Sequence, residues 1–182
     1  MGADRQDDLD RRAAASRFRR RRAELADDLG RLLGARAAVE PIADQERAAR
    51  LAAELRASIG VARPHDWAIV SREWAADAVA ALTDTVHRLS RNLGPRRVWL
   101  IAVRGEPQAA PVDSEAVLDN PVGFAAAADH ELRLLDQELP AGLLLDRRSH
   151  VHGPDVVRYT WELEVWGEPW LSAATRALRG VG

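Results

Sequence analysis

The sequence predicts an α+β (mixed α/β) fold: a small, mainly antiparallel sheet of about four strands packed against several helices, behind an N-terminal helical leader. Three observations predict it. Residues 73–93 carry apolar side chains at steps of three and four, the signature of a one-sided helix. Residues 98–103 are apolar without a break, as in a strand covered on both faces. Residues 157–166 alternate apolar and polar, and the stretch 143–152 before them can pair with them as a hairpin.

Taken in order, residues 4 to 35 are rich in Ala, Arg, Leu and Glu with no proline, and read as a helix. Its apolar stripe, Phe18, Leu25, Leu29, Leu32 and Leu33, begins only at Phe18, so the first ~15 residues are expected to fray or extend from the body. Residues 1–36 are therefore assigned to a charged, partly mobile N-terminal helix, and residues 37–182 to a single globular α+β domain. Pro41 breaks the chain, Asp44 caps a second helix with stripe Ala48, Leu51, Ala52, Leu55 and Ile59, and Gly60 stops it. Residues 61–66 read as a connector. The run 67–70 is a strand or the lead-in to the next helix, with Ser71 as its cap and Trp74, Ala78, Leu82, Val86, Leu89 and Leu93 as its stripe; Gly94-Pro95 ends it. A loop follows the apolar strand 98–103, with a short strand expected around 110–113. Asn120-Pro121 starts a further helix whose stripe is Phe124, Ala128, Leu132, Leu135 and Leu139.

For the hairpin, matching apolar faces sets the register: Val151 opposite Val157, Ser149 opposite Tyr159, Arg147 opposite Trp161 and Leu145 opposite Leu163, leaving 153–155 as the loop. A short helix over 170–178 closes the chain.

Composition removes whole classes of chemistry. All 26 basic residues are arginine and there is no cysteine. A P-loop lysine, a Schiff base, a thiol nucleophile and a zinc–cysteine site are thereby excluded. Codon usage in a GC-rich genome accounts for arginine in place of lysine, which discounts every arginine-rich feature. No Gly-x-Ser-x-Gly or glycine-rich phosphate loop occurs. Net charge is −2, split into +3 over residues 1–36 and −5 over the rest. No apolar run approaches the ~20 residues of a membrane span, and the N-terminus lacks an apolar signal core, so a cytoplasmic location is expected.

Three candidate sites emerge. His150 and His152 share one strand face with Asp146 and Glu162, a donor set for a divalent metal, although Arg148 and Arg158 beside them oppose a cation. Glu162 and Glu164 lie ~7 Å apart on that face, which is expected to be solvated. Trp166, flanked by Glu164 and Glu168, falls on the polar side of its strand and would anchor a protein partner unless the final helix covers it. Arg19, Arg20, Arg21 and Arg22 form a basic run suited to an acidic protein surface or to phosphates. His87 and His130 are expected on polar helix faces.

The expectation is a non-catalytic protein-binding or regulatory module of a bacterial cytoplasm, of the class exemplified by toxin-neutralising immunity proteins. It would need no cofactor, and its partner would be another protein or a second copy of itself. Two alternatives are a metal-dependent enzyme on the outer face of the 143–166 hairpin and a nucleic-acid binder acting through the N-terminal helix. No membrane association is expected.

Overall fold

The computed structural model describes residues 2–34, 39–62, 69–103, 105–128, 130–151 and 157–179, with the side chains of 2–4 excepted. Among them, helices α1 (Gly2–Leu33) and α2 (Gln45–Ala62) precede strand β1 (Ile69–Ala75). Helix α3 (Val79–Leu93) and strands β2 (Arg97–Ala102) and β3 (Gln108–Asp113) follow, then two short helices, α4 (Ser114–Leu118) and α5 (Pro121–Ala127). Strands β4 (Glu131–Asp136), β5 (Gly142–Val151) and β6 (Val157–Trp166) come next, and helix α6 (Trp170–Arg179) ends the chain. The strands form one sheet in the order β1-β6-β5-β4-β2-β3, and every neighbouring pair is antiparallel. The fold is α+β as expected, with six strands where about four were predicted.

The hairpin register is the one that apolar matching gives: Val151 opposite Val157, Ser149 opposite Tyr159, Arg147 opposite Trp161, Leu145 opposite Leu163. The loop 153–155 lies outside the described residues, as do Trp67 and most of the 61–66 connector. The strand reading of 67–70 holds over its described residues in β1, and the short strand near 110–113 is β3, so β4 alone has no counterpart in the sequence reading; β1 and β4 both take in residues read as helix. Residues 71–75 belong to β1, not to the helix that Ser71 was expected to cap; α3 begins after Ala78, which makes no side-chain capping bond. Trp74 is buried either way, but on β1 it stands opposite Trp161 and the strand gains β6 as a partner. Likewise the helix starting at Asn120 ends at Ala127, short of the predicted Leu139. Its start is as read, since the Asn120 side chain accepts a bond from Gly123 N at 3.1 Å. His130 takes a left-handed backbone (φ 71°), so it lies on a turn and not on a helix face. Leu132 and Leu134 then alternate into the core as β4, between β2 and β5. Tertiary pairing outweighs the helix propensity of leucine there.

The sheet is covered on both faces. On one, Leu100, Val112, Leu134, Leu143, Leu163 and Val165 meet α1 (Leu29), α3 (Leu82, Val86, Leu89), α5 (Phe124) and α6 (Trp170, Ala174). On the other, α2 lays Leu51, Ala52, Leu55 and Ala62 over Ile101, Ala109, Leu135, Leu144 and Trp166. Asp44 caps α2 through the Glu46 and Arg47 amides at 2.9 and 3.2 Å, and the helix runs two residues past Gly60. In α1, Phe18 is buried while residues 5–13 are exposed. No described helix is long and apolar enough to cross a membrane.

Candidate functional site

The face under α2 divides along the β5–β6 ribbon. At the Gly142–Trp166 end it is apolar; towards the hairpin tip it is polar, and the polar end holds the sequence-predicted metal donors. Arg148 stands among three carboxylates: Asp146 (3.3 Å), Glu164 (3.4 Å) and Glu162. Ser71 of β1 donates to Glu162 at 3.3 Å. Glu162 and Glu164 are buried, not solvated as expected, and the guanidinium supplies the opposite charge that buried carboxylates require. Burial works against the charge on Arg148, but Glu162, Asp146 and Glu164 outweigh it and hold its pKa above the ordinary arginine value. His150 hydrogen-bonds through Nε2 with Thr160 Oγ1 at 2.9 Å. His152 lies outside the described residues. Arg148 thus pairs with both carboxylates, Asp146 and Glu162, of the donor set named for a metal. No group of three or more His, Asp or Glu among the described residues is arranged to hold a metal.

The predicted partner anchor is dispersed. Trp166 is 1 % exposed, covered by α2 and not by the final helix, and its Nε1 donates to Ser58 Oγ at 2.6 Å. Glu164 belongs to the Arg148 cluster, and Glu168 accepts from Ser172 N at 3.4 Å and from Ser172 Oγ at 2.8 Å in the first turn of α6. Of the arginine run, Arg20 and Arg21 pair with Glu24, and Arg22 donates to Pro41 O at 2.9 Å while facing Glu40. Arg19 is exposed. The positive charge at this end is thus largely answered within the chain.

Two features carry no signal in any single stretch of sequence. One is the buried carboxylate of Asp136. Its Oδ2 accepts from Arg96 Nε and from Trp170 Nε1, both at 3.0 Å, and its Oδ1 from Glu138 N at 3.0 Å. Burial opposes its charge, yet the bonds from Arg96, Trp170 and Glu138 win and hold its pKa below the ordinary aspartate value. From the end of β4 it ties the first residue of α6, the start of β2 and the β4–β5 turn into one knot.

The other is a groove of about 670 Å³ directly outside that knot. One wall is the last two turns of α2, with Glu54, Ala57, Ser58 and Val61; the other is the β4–β5 turn, with Glu138 and Leu139; Trp166 closes the floor. Val61 is 74 % exposed and Leu139 38 %. Ser58 Oγ bridges the walls, accepting from Trp166 and donating to Pro140 O at 3.0 Å. Among the described residues no arginine lines the groove, and its charged rim is Glu54 and Glu138. A second, more polar hollow of about 810 Å³ lies between α3 and α4, where His87 Nε2 hydrogen-bonds with Asp119 O at 3.0 Å.

No known protein family, curated protein or solved structure matches this chain.

Proposed function

We propose that the protein is a non-catalytic binding module that captures an apolar, basic-flanked segment of a protein partner in the groove between α2 and the β4–β5 turn. The observation that carries this reading is the combination of exposed Val61 and Leu139 with the carboxylates of Glu54 and Glu138 on the rim. Apolar side chains left at the lip of a preformed cleft gain free energy when another chain covers them. Glu54 and Glu138 select for positive charge beside that anchor. The volume lies within the ~300–1,000 Å³ of ordinary ligand clefts. Both walls are fixed by internal hydrogen bonds, at Ser58 and at Asp136, so little ordering is lost on binding.

The test uses two labelled peptides with the same Leu-Phe anchor, one flanked by arginines and one by glutamates, in fluorescence anisotropy. The basic peptide is expected to bind at least about tenfold more tightly, to weaken with salt, and to lose binding in Val61→Arg. Equal affinity for the two peptides, or unchanged binding by Val61→Arg, would overturn the reading.

A further inference from the structure

The β5–β6 ribbon outruns its neighbours. β4 pairs with β5 only as far as Asp146, and β1 with β6 only as far as Thr160. One further backbone bond continues each edge, Arg147 N to His130 O and Ala76 N to Tyr159 O. Beyond these, among the described residues, the ribbon continues as two strands to the Val151–Val157 pair. On this arm, Val151, Val157 and Tyr159 share the face that is core-directed farther back, and they are 74, 50 and 46 % exposed. Arg147 lies over the Tyr159 ring at 4.6 Å, placing a guanidinium beside the apolar patch. Of the three arginines in 147–159, Arg148 is answered by the carboxylates at the root of the arm, which leaves Arg147 and Arg158 against one acid, Asp155.

The arm and the groove are matched opposites: apolar and basic at one end of the ribbon, apolar and acidic at the other. The ten residues of β5 separate them by ~30 Å of paired strand, so an arm cannot fold back into the groove of its own chain. We propose that the groove's partner is a second copy of this chain, and that the arm of one molecule docks in the groove of another. The proposal rests on the reading of the groove as a protein-binding surface. Val151, Val157 and Tyr159 would cover Val61 and Leu139, with Arg147 facing Glu54 or Glu138. Because the contact joins unlike surfaces, two molecules side by side in opposite directions make it twice, and a row makes it once per neighbour. A contact this small, below ~1,200 Å², is a weak one, so assembly depends on concentration and weakens with salt.

The experiment is sedimentation velocity on the full chain from low micromolar to near-millimolar concentration, with circular dichroism confirming that each variant folds. Wild type is expected to sediment faster as concentration rises. An arm variant, Val151→Glu with Val157→Glu, and a groove variant, Val61→Arg, are each expected to stay monomeric. Mixed, they retain one intact arm and one intact groove, and are expected to form a 1:1 heterodimer and nothing larger. A wild type that is monomeric throughout, an oligomer that survives either variant, or a mixture that stays monomeric overturns the proposal. A monomeric wild type that still binds the basic peptide rejects self-docking alone and leaves the groove's assignment standing.

Discussion

Replacing Asp136 with asparagine keeps the shape of the buried knot and removes its charge. The carboxylate accepts three bonds, two of them from side chains whose donors have no other described acceptor: Arg96 Nε and Trp170 Nε1. Asparagine can keep the bond from Glu138 N through its carbonyl, but its amide then turns N–H groups towards two N–H donors. Each buried donor left unpaired costs about 1–3 kcal/mol. Arg96 recovers part of its share from water because its side chain is 24 % exposed, whereas Trp170 is fully buried. The expected loss is about 3 kcal/mol, below the ~3–5 kcal/mol of a fully buried broken pair. For a domain of this size that lowers Tm by about 6–12 °C. The pH dependence supplies a second reading of the same group. Its folded pKa is depressed, so its ionisation stabilises the fold fully above the unfolded value, ~3.9. That stabilisation is lost as pH falls through the folded value. Urea denaturation at a series of pH values should show the variant's deficit constant near neutrality and shrinking below about pH 4. A deficit under ~1 kcal/mol at pH 7, or one that grows as pH falls, refutes the assignment of Asp136 as the charged tie.

Leu55 is fully buried between α2 and the sheet, so Leu55→Ala should cost about 2–5 kcal/mol in the same denaturation assay. Arg148→Leu strands Glu162 and Glu164 without their cation; at pH 7 the loss should be about 2–3 kcal/mol, reduced from the fully buried case because the guanidinium side chain is 38 % exposed. A loss under about 1 kcal/mol in that assay would refute the role of Arg148 as the charge partner of these carboxylates. Gly142→Ala directs its methyl group onto Leu134 O and against the Trp166 ring, so a clear fall in Tm is expected. Glu54→Arg, an exposed rim substitution, should leave Tm within about 1 °C of wild type and weaken the basic peptide in anisotropy.

Much of the fold is legible in short-range pattern. The register of β5 with β6 follows from alternation alone, because a slip of one residue would turn Leu145 and Leu163 out of the core. The strand 131–136 is not legible in this way. Its leucines satisfy a helical and a strand spacing equally, and what decides is the open edge between β2 and β5, a fact about distant residues. The same reason hides the sheet's second cover. Trp166 and Glu162 both read as outward-facing, and correctly share a face, but α2 lies over one end of that face and Arg148 neutralises the other. The candidate groove is still less visible. Val61 follows a glycine that reads as a helix stop, and Leu139 fits the stripe of a helix that ends twelve residues earlier; only the meeting of α2 with the β4–β5 turn makes them neighbours.

The polar ties in this protein fall where its two candidate surfaces need rigidity. Ser58 holds α2 to Pro140 and Trp166, and Asp136 holds the turn through Glu138, so both groove walls are fixed by groups that never reach solvent-exposed Val61 or Leu139. At the far end, the Arg148 cluster lies where the ribbon loses its flanking strands, tying Asp146 of β5 to Glu162 and Glu164 of β6. A two-stranded ribbon is only marginally stable alone; cross-strand charge pairs at its root keep the arm in register as it leaves the sheet. Arg148→Leu should therefore do more than destabilise the fold. Amide exchange in 147–151 and 157–159 should accelerate beyond what the global loss accounts for, while exchange in α2 follows the global loss alone. Equal acceleration in the arm and in α2 would mean that the cluster supports the whole sheet and not the arm.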